Sequence, residues 1–208
     1  MSRGCFVVIE GPEGAGKSTL IRSLGTRLAE RAIPHVLLRE PGGTPLAEVA
    51  RRAVLDPTLD TGAVAELFLM LTARADLVAK EIRPRLAAGE VVLADRFDLS
   101  TMAYQVAGRG LDAAAVRVAN ALATGGLVPE ATLVLDLEVT TGIQRQRAAG
   151  KAPDRMELEQ ESFHQRVNAA YRTAAGPGVV HLDATGSPAA VAEAAWRALA
   201  AVRPDIFA

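Results

Sequence analysis

Nine consecutive residues, Gly11-Pro12-Glu13-Gly14-Ala15-Gly16-Lys17-Ser18-Thr19, have the types and spacing that hold a polyphosphate. Glycines let the backbone wrap an anion and aim successive N–H groups at it, and a following helix N-terminus adds positive potential. Lys17 can reach the outer phosphates, and the Ser18 hydroxyl can ligate Mg²⁺. The segment is a complete phosphate-binding loop and implies a nucleoside triphosphate. Asp95-Arg96 offers a second chemistry: Asp95 to hold Mg²⁺ directly or through water, Arg96 to clamp an acceptor phosphate. An ion pair tying a strand to a helix is the alternative for those two. Arg39, just ahead of a loop stiffened by Pro41 and Gly42-Gly43, is the other acceptor-phosphate candidate. Arg74 lies in an apolar helical stretch, where it either snorkels to solvent or donates to a ligand ring; both readings stand. Residues 142–155 carry Arg145, Arg147, Lys151 and Arg155, punctuated by Gly150 and Pro153. Such a segment reads as a lid, at about 142–157, bringing positive charge over a transferring phosphoryl group. It reads otherwise as a solvated helix end balanced by Asp154 and Glu157.

These groups need elements to position them. Apolar runs at 5–9, 35–38, 91–94, 132–136 and 179–183 have the length of buried parallel strands. Helical periodicity follows the phosphate loop to Leu28 and continues at about 45–55, 63–88 (with Pro84 as a point of bending) and 188–202. Strands alternating with helices predict an α/β protein, a five-stranded parallel sheet with helices on both faces. Glu10, Arg39-Glu40, Asp95-Arg96, Asp136 and Asp183 all fall at or just beyond strand C-termini, the edge where open α/β sheets bind ligands. Groups scattered along the chain are thereby expected to converge.

Length and composition narrow the classes. The 208 residues suit one domain spanning 1–208, and the net charge of −1 gives no general pull toward nucleic acid or anionic lipid. Lysine occurs only at Lys17, Lys80 and Lys151, and every other cation is arginine, the better bidentate phosphate ligand. Cys5 has no partner for an internal disulfide, which suits a reducing compartment. The start of the chain lacks a secretory pattern and no 18-residue apolar run occurs, so a cytoplasmic protein without membrane spans is expected. Three dispersed histidines give no zinc spacing, and aromatic residues at 4% argue against a base-stacking surface for single strands.

The chain resembles the thymidylate kinase family, bacterial type with catalytic arginines in the lid, over nearly its whole length. The resemblance rests on Gly11 to Thr19, Arg39-Glu40-Pro41-Gly42-Gly43-Thr44-Pro45-Leu46, Ala73-Arg74, Asp95-Arg96-Phe97 through Gln105, and Asp154-Arg155-Met156-Glu157 with the later Tyr171. It implies a P-loop NTPase fold of the nucleoside monophosphate kinase type. It also implies transfer of the γ-phosphoryl group of ATP to dTMP, giving dTDP and ADP with Mg²⁺, and a homodimer. Carried over residue by residue, it has Arg39 and Arg96 hold the acceptor phosphate. Arg74 meets the pyrimidine edge, Ser100, Thr101 and Gln105 lie at the acceptor nucleotide, and Tyr104 crowds the sugar 2′ position. Glu10 approaches the acceptor sugar and metal region; Ser18 and Asp95 serve the metal. Catalysis falls to Lys17, Arg96, Glu10 and, from the lid, Arg147 and Arg155. Met70 stands where the family commonly has an aromatic ring, and the loop Glu13-Gly14-Ala15 lacks the arginine of another branch.

Two other functions share parts of this pattern. A deoxynucleoside kinase has the phosphate loop, an Asp/Glu-Arg element and an arginine lid, but needs no clamp for an acceptor phosphate. A nucleotide-dependent switch needs neither a second anion site nor a cationic lid.

Overall fold

The computed structural model describes residues 4–148 and 154–208 without the Arg147 side chain, so Gly150, Lys151 and Pro153 of the expected lid lie outside the described residues. Each apolar run forms a strand: β1 (Cys5–Glu10), β2 (His35–Arg39), β3 (Val91–Asp95), β4 (Ala131–Asp136) and β5 (Val179–Asp183). All pair in parallel, in the order β2-β3-β1-β4-β5. The register sets Ile9 opposite both Asp95 and Leu133, Arg39 opposite Asp95, and Asp136 opposite Asp183. That alignment brings the strand-end charges to one edge of the sheet.

Side chains on a strand alternate between faces, and central β1 shows this directly. Cys5, Val7 and Ile9 pack with Leu20, Leu24 and Leu28 of α1 (Lys17–Glu30) and Trp196 and Leu199 of α9 (Pro188–Val202). Phe6 and Val8 pack on the other face with Leu77, Val78, Ile82 and Phe97. A third cluster joins Val134 to Tyr104, Phe163, Val167 and Tyr171, seating α8 (Glu161–Arg172). The remaining helices are α2 (Pro45–Leu55), α3 (Ala63–Leu77), α4 (Arg83–Ala87), α5 (Asp98–Thr101), α6 (Ala113–Thr124), α7 (Val139–Ala148) and α10 (Pro204–Phe207).

The expected bend near Pro84 takes the form of a π-helical turn, Val78–Ile82, joining α3 to α4. Proline lacks an N–H and crowds the preceding turn, which a wider winding accommodates. A second π-helical stretch, Met102–Gly108, continues α5 and carries Tyr104 and Gln105. The backbone of α7 leans on the phosphate loop: a Cβ at Gly14 would collide with the Gly142 carbonyl oxygen. Glycine is needed at 14 for that approach and for its positive φ of 73°.

Candidate active site

The phosphate loop joins β1 to α1, with Gly16 at the N-cap in a left-handed conformation. Lys17 is buried and its Nζ donates to the carbonyls of Gly11 and Pro12 at 3.0 and 2.8 Å. Burial lowers its pKa, as does Arg96, while Glu13, Asp95 and Glu10 oppose the shift. Ser18 Oγ donates to Asp95 Oδ2 at 3.0 Å across the loop.

Arg96 is the hub. Its φ of 77° is left-handed, an uncommon state for a residue with a Cβ, and it is fixed by an N–H donated to Ile9 O at 2.9 Å. The guanidinium donates to Gly11 O, Ser100 Oγ, Tyr171 OH and Tyr104 OH at 3.3, 3.1, 2.8 and 3.1 Å, and pairs with Glu13. Against the effect of burial, Arg96 and Lys17 hold the Glu13 carboxyl down at about 2. Glu10 does different work. Fully buried, it accepts from the N–H groups of Phe97 and Ser100 at 2.8 and 3.0 Å, and from Ser100 Oγ and Tyr171 OH at 2.6 and 3.1 Å. It thus satisfies free N–H groups at the start of α5 and holds Ser100 beside Arg96. Burial raises its pKa; Arg96 and Ser100 pull the other way.

A cleft of about 520 Å³ opens between the phosphate loop and the α2–α3 side, lined among others by Lys17, Ser18, Arg39, Met70, Asp95 and Arg96. Tyr104 and Gln105 complete the wall next to Met70. Arg39 is half exposed and paired with Glu48 at 2.9 Å. Not every expected residue reaches this cleft. Arg74 is 1% exposed, and its three nitrogens donate to Glu40, Thr101, Asn120 and Phe97 O at 2.8, 2.7, 2.5 and 2.8 Å. Arg74 and Thr101 therefore stand behind the wall, while Glu40, its carboxyl raised to about 7 by burial against the pull of Arg74, forms part of it. Ser100 is likewise buried beside Glu10. Arg155 departs most from expectation: it donates to Val54 O at 2.7 Å and to Glu66 at 2.6 Å and does not line the cleft. A buried carboxylate captures it from below. Arg147, the other expected lid arginine, lies outside the described side chains.

One group escaped sequence reasoning, and another sits elsewhere than over the transferring phosphoryl group. Arg51, on α2, lines the cleft and donates to Pro41 O at 2.8 Å; burial, then neighbouring Arg39, lower its pKa. Its only sequence signal is a position on an amphipathic helix beside Arg52, which does not separate a solvent arginine from a cleft one. Arg145, expected in the lid, instead donates to Gly14 O and Ala184 O at 3.4 and 3.3 Å. With Gly186 and Val191 it borders a second cavity of about 370 Å³, which shares Gly14, Gly16 and Thr19 with the phosphate loop.

Comparison with known proteins bears on this arrangement. The sequence pattern of the thymidylate kinase family matches residues 9–195. The chain belongs to the thymidylate kinase family. A thymidylate kinase from Pseudomonas entomophila is 45% identical, with 98% of this chain and 97% of its own covered. One from Deinococcus radiodurans is 46% identical over 80% of this chain and 81% of its own. The crystal structure of thymidylate kinase from Ehrlichia chaffeensis superposes with a TM-score of 0.77 at 25% identity, covering 94% of this chain and 98% of that one. The thymidylate kinase fold thus accounts for the sheet and its helices together.

Proposed function

We propose that this protein transfers the γ-phosphoryl group of ATP to dTMP, giving dTDP and ADP, in dTTP synthesis. One observation carries the reading: the phosphate loop and the Arg96 hub border the same cleft, whose far wall is built from Met70, Tyr104 and Gln105. Residues Gly11 to Thr19 bind the donor phosphates, with Lys17 turning from loop carbonyls to the outer phosphates. The cavity beside Arg145 takes the donor base, the planar guanidinium lying along it. Arg39 and Arg96, with Arg51 nearby, hold the acceptor phosphate in line, and Glu13 gives up Arg96 when the phosphate arrives. A phosphate oxygen is already anionic, so no general base is needed and catalysis is positioning plus charge neutralisation.

Ser18 and Asp95 both line the cleft as hard oxygen donors, a set that fits Mg²⁺ completed by water. Mg²⁺ held there would neutralise charge on the donor phosphates. Arg147, in a lid at about 142–157, supplies the remaining positive charge, and Arg155 anchors the lid's foot. We propose one domain over 1–208 that works as a homodimer through the exposed apolar faces of α3 and α6, in the cytoplasm and without nucleic acid. No helix among the described residues is long and apolar enough to cross a membrane.

ADP release, measured with dTMP, dUMP, dCMP, dGMP, UMP and thymidine in turn, tests the reading. Turnover is expected with dTMP foremost, and Lys17→Ala should lower kcat by about two orders of magnitude or more. Phosphorylation of thymidine but not dTMP would identify a deoxynucleoside kinase instead. ATP binding without turnover on any acceptor would leave a nucleotide-dependent switch.

A further inference from the structure

Glu66 of α3 is a carboxylate with no exposure, one helical turn before Met70 on the same face. Phosphoryl transfer as derived above makes no use of it. Gln105 Nε2 donates to its Oε1 at 2.9 Å, Arg109 reaches it through Nε and Nη2 at 3.1 and 2.9 Å, and Arg155 Nη2 reaches it at 2.6 Å. Arg109 is held in turn by Glu159 at 2.6 Å and lies over the Phe163 ring. Burial works to raise the Glu66 pKa, yet hydrogen bonds from Arg109, Gln105 and Arg155 outweigh it and keep the group ionised.

An ionised carboxylate only accepts hydrogen bonds. It therefore settles which end of the Gln105 amide faces it: the NH₂ turns to Glu66 and the carbonyl oxygen turns away. Without such a neighbour the two ends of an amide are nearly interchangeable in shape. Gln105 lines the cleft beside Met70 and Tyr104, and its Oε1 is buried with no partner among the described residues. A buried acceptor held unpaired rewards a ligand that brings a donor to it.

We propose that Glu66 is a specificity-determining positioning residue, which engages the Gln105 amide so that its carbonyl meets an N–H donor on the acceptor's base. The base selected is one carrying a ring imide N–H, as thymine and uracil do. Cytosine presents a ring nitrogen lone pair at the corresponding edge, which would set two acceptors against each other. The proposal rests on the cleft being the site of the acceptor nucleotide.

The ratio of kcat/KM for dTMP to that for dCMP, with MgATP saturating, tests it in the wild type, Glu66→Gln and Glu66→Asp. That ratio does not depend on how much of a preparation is folded, so a purely structural role leaves it unchanged. Glu66→Gln can donate as well as accept and lets Gln105 turn over; the ratio should fall by about tenfold or more, mainly through KM for dTMP. Glu66→Asp keeps a charge for Arg109 and Arg155 but withdraws the acceptor from Gln105, so the ratio should fall by less. Should Glu66→Gln not fold, Glu66→Asp decides alone. A wild-type ratio in every variant that folds overturns the role of Glu66. A wild type that does not prefer dTMP to dCMP removes the reading of the cleft itself, and the proposal with it.

Discussion

Arg74 shows how much a single side chain depends on distant residues. Its partners, Glu40, Phe97, Thr101 and Asn120, come from β2's exit, the two ends of α5 and the second half of α6. Removing it should strand Glu40, whose Oε1 already lacks a partner among the described residues, in a buried site. Arg74→Met is expected to lower stability by about 3–5 kcal/mol, the usual result of breaking a buried pair from one side. Replacing both members, Arg74→Met with Glu40→Leu, should recover a substantial part, because a buried charge no longer stands alone. Urea unfolding of the two single variants and the double variant measures this coupling; a double variant as unstable as the sum of the singles would refute it. The case also marks where sequence reasoning stops at this scale. The phosphate loop is contiguous, so its chemistry is readable from Gly11 to Thr19 alone. Whether Arg74 meets solvent, ligand or protein depends on what packs over α3, and neither periodicity nor composition holds that information. Arg155 makes the same point: its charge is visible in the chain, but the Glu66 carboxylate that captures it lies 89 positions away.

Elements were more legible than their wrapping. All five strands coincide with apolar runs: both faces of the central β1, β3 and β4 are covered, leaving no polar alternation to confuse the pattern, and the partly exposed edge strands β2 and β5 are still mostly apolar. The strand order is set by crossovers and left no local mark, and the π-helical stretch Met102–Gly108 differs from an α-helix only in hydrogen bonds that span five residues instead of four, below what periodicity resolves. One contact between elements makes a prediction of its own. His181 on β5 places Nδ1 3.0 Å from both carboxylate oxygens of Asp136 on β4, and Nε2 2.8 Å from Ala174 O. With acceptors at both nitrogens the doubly protonated ring is favoured, and its pKa is raised by the Ala174 hydrogen bond and then by Asp136. A raised folded pKa means the stabilisation is fully present below the unfolded value of about 6.5 and is lost as pH rises through the folded value. The Tm difference between wild type and His181→Gln should therefore be larger at about pH 5.5 than at about pH 8.5. A difference that grew with pH would mean that the neutral ring is the form the strand pair holds.

At the scale of the molecule, the outer face of the α3–α6 pair is the surface that a lone chain explains least. These helices pack on each other through Leu67, Leu71 and Val116. Away from that seam, Leu122 is 86% exposed, Val118 72%, Phe68 59% and Val64 55%. Both pairs repeat at i, i+4, giving an apolar stripe on each helix. Exposed apolar stripes on neighbouring elements suit an interface, and a second copy meeting them about a two-fold axis would bury the same residues from both sides. On that argument the wild type should be a dimer by light scattering at micromolar concentration, and Leu122→Glu should shift it toward monomer. Since Leu122 makes little use of its own chain's core, the isolated subunit should keep its stability to within about 0.5 kcal/mol. Activity should not be indifferent to the change. Phe68 and Val64 share α3 with Met70 and Glu66, so a dimer that braces α3 would also brace the wall of the cleft proposed to take the acceptor base. The monomeric variant should accordingly show a raised KM for dTMP with the KM for ATP little altered, because the phosphate loop lies on the opposite side of the cleft. A wild type that runs as a monomer would refute the interface, and equal loss of both substrates in Leu122→Glu would show that α3 does not transmit it.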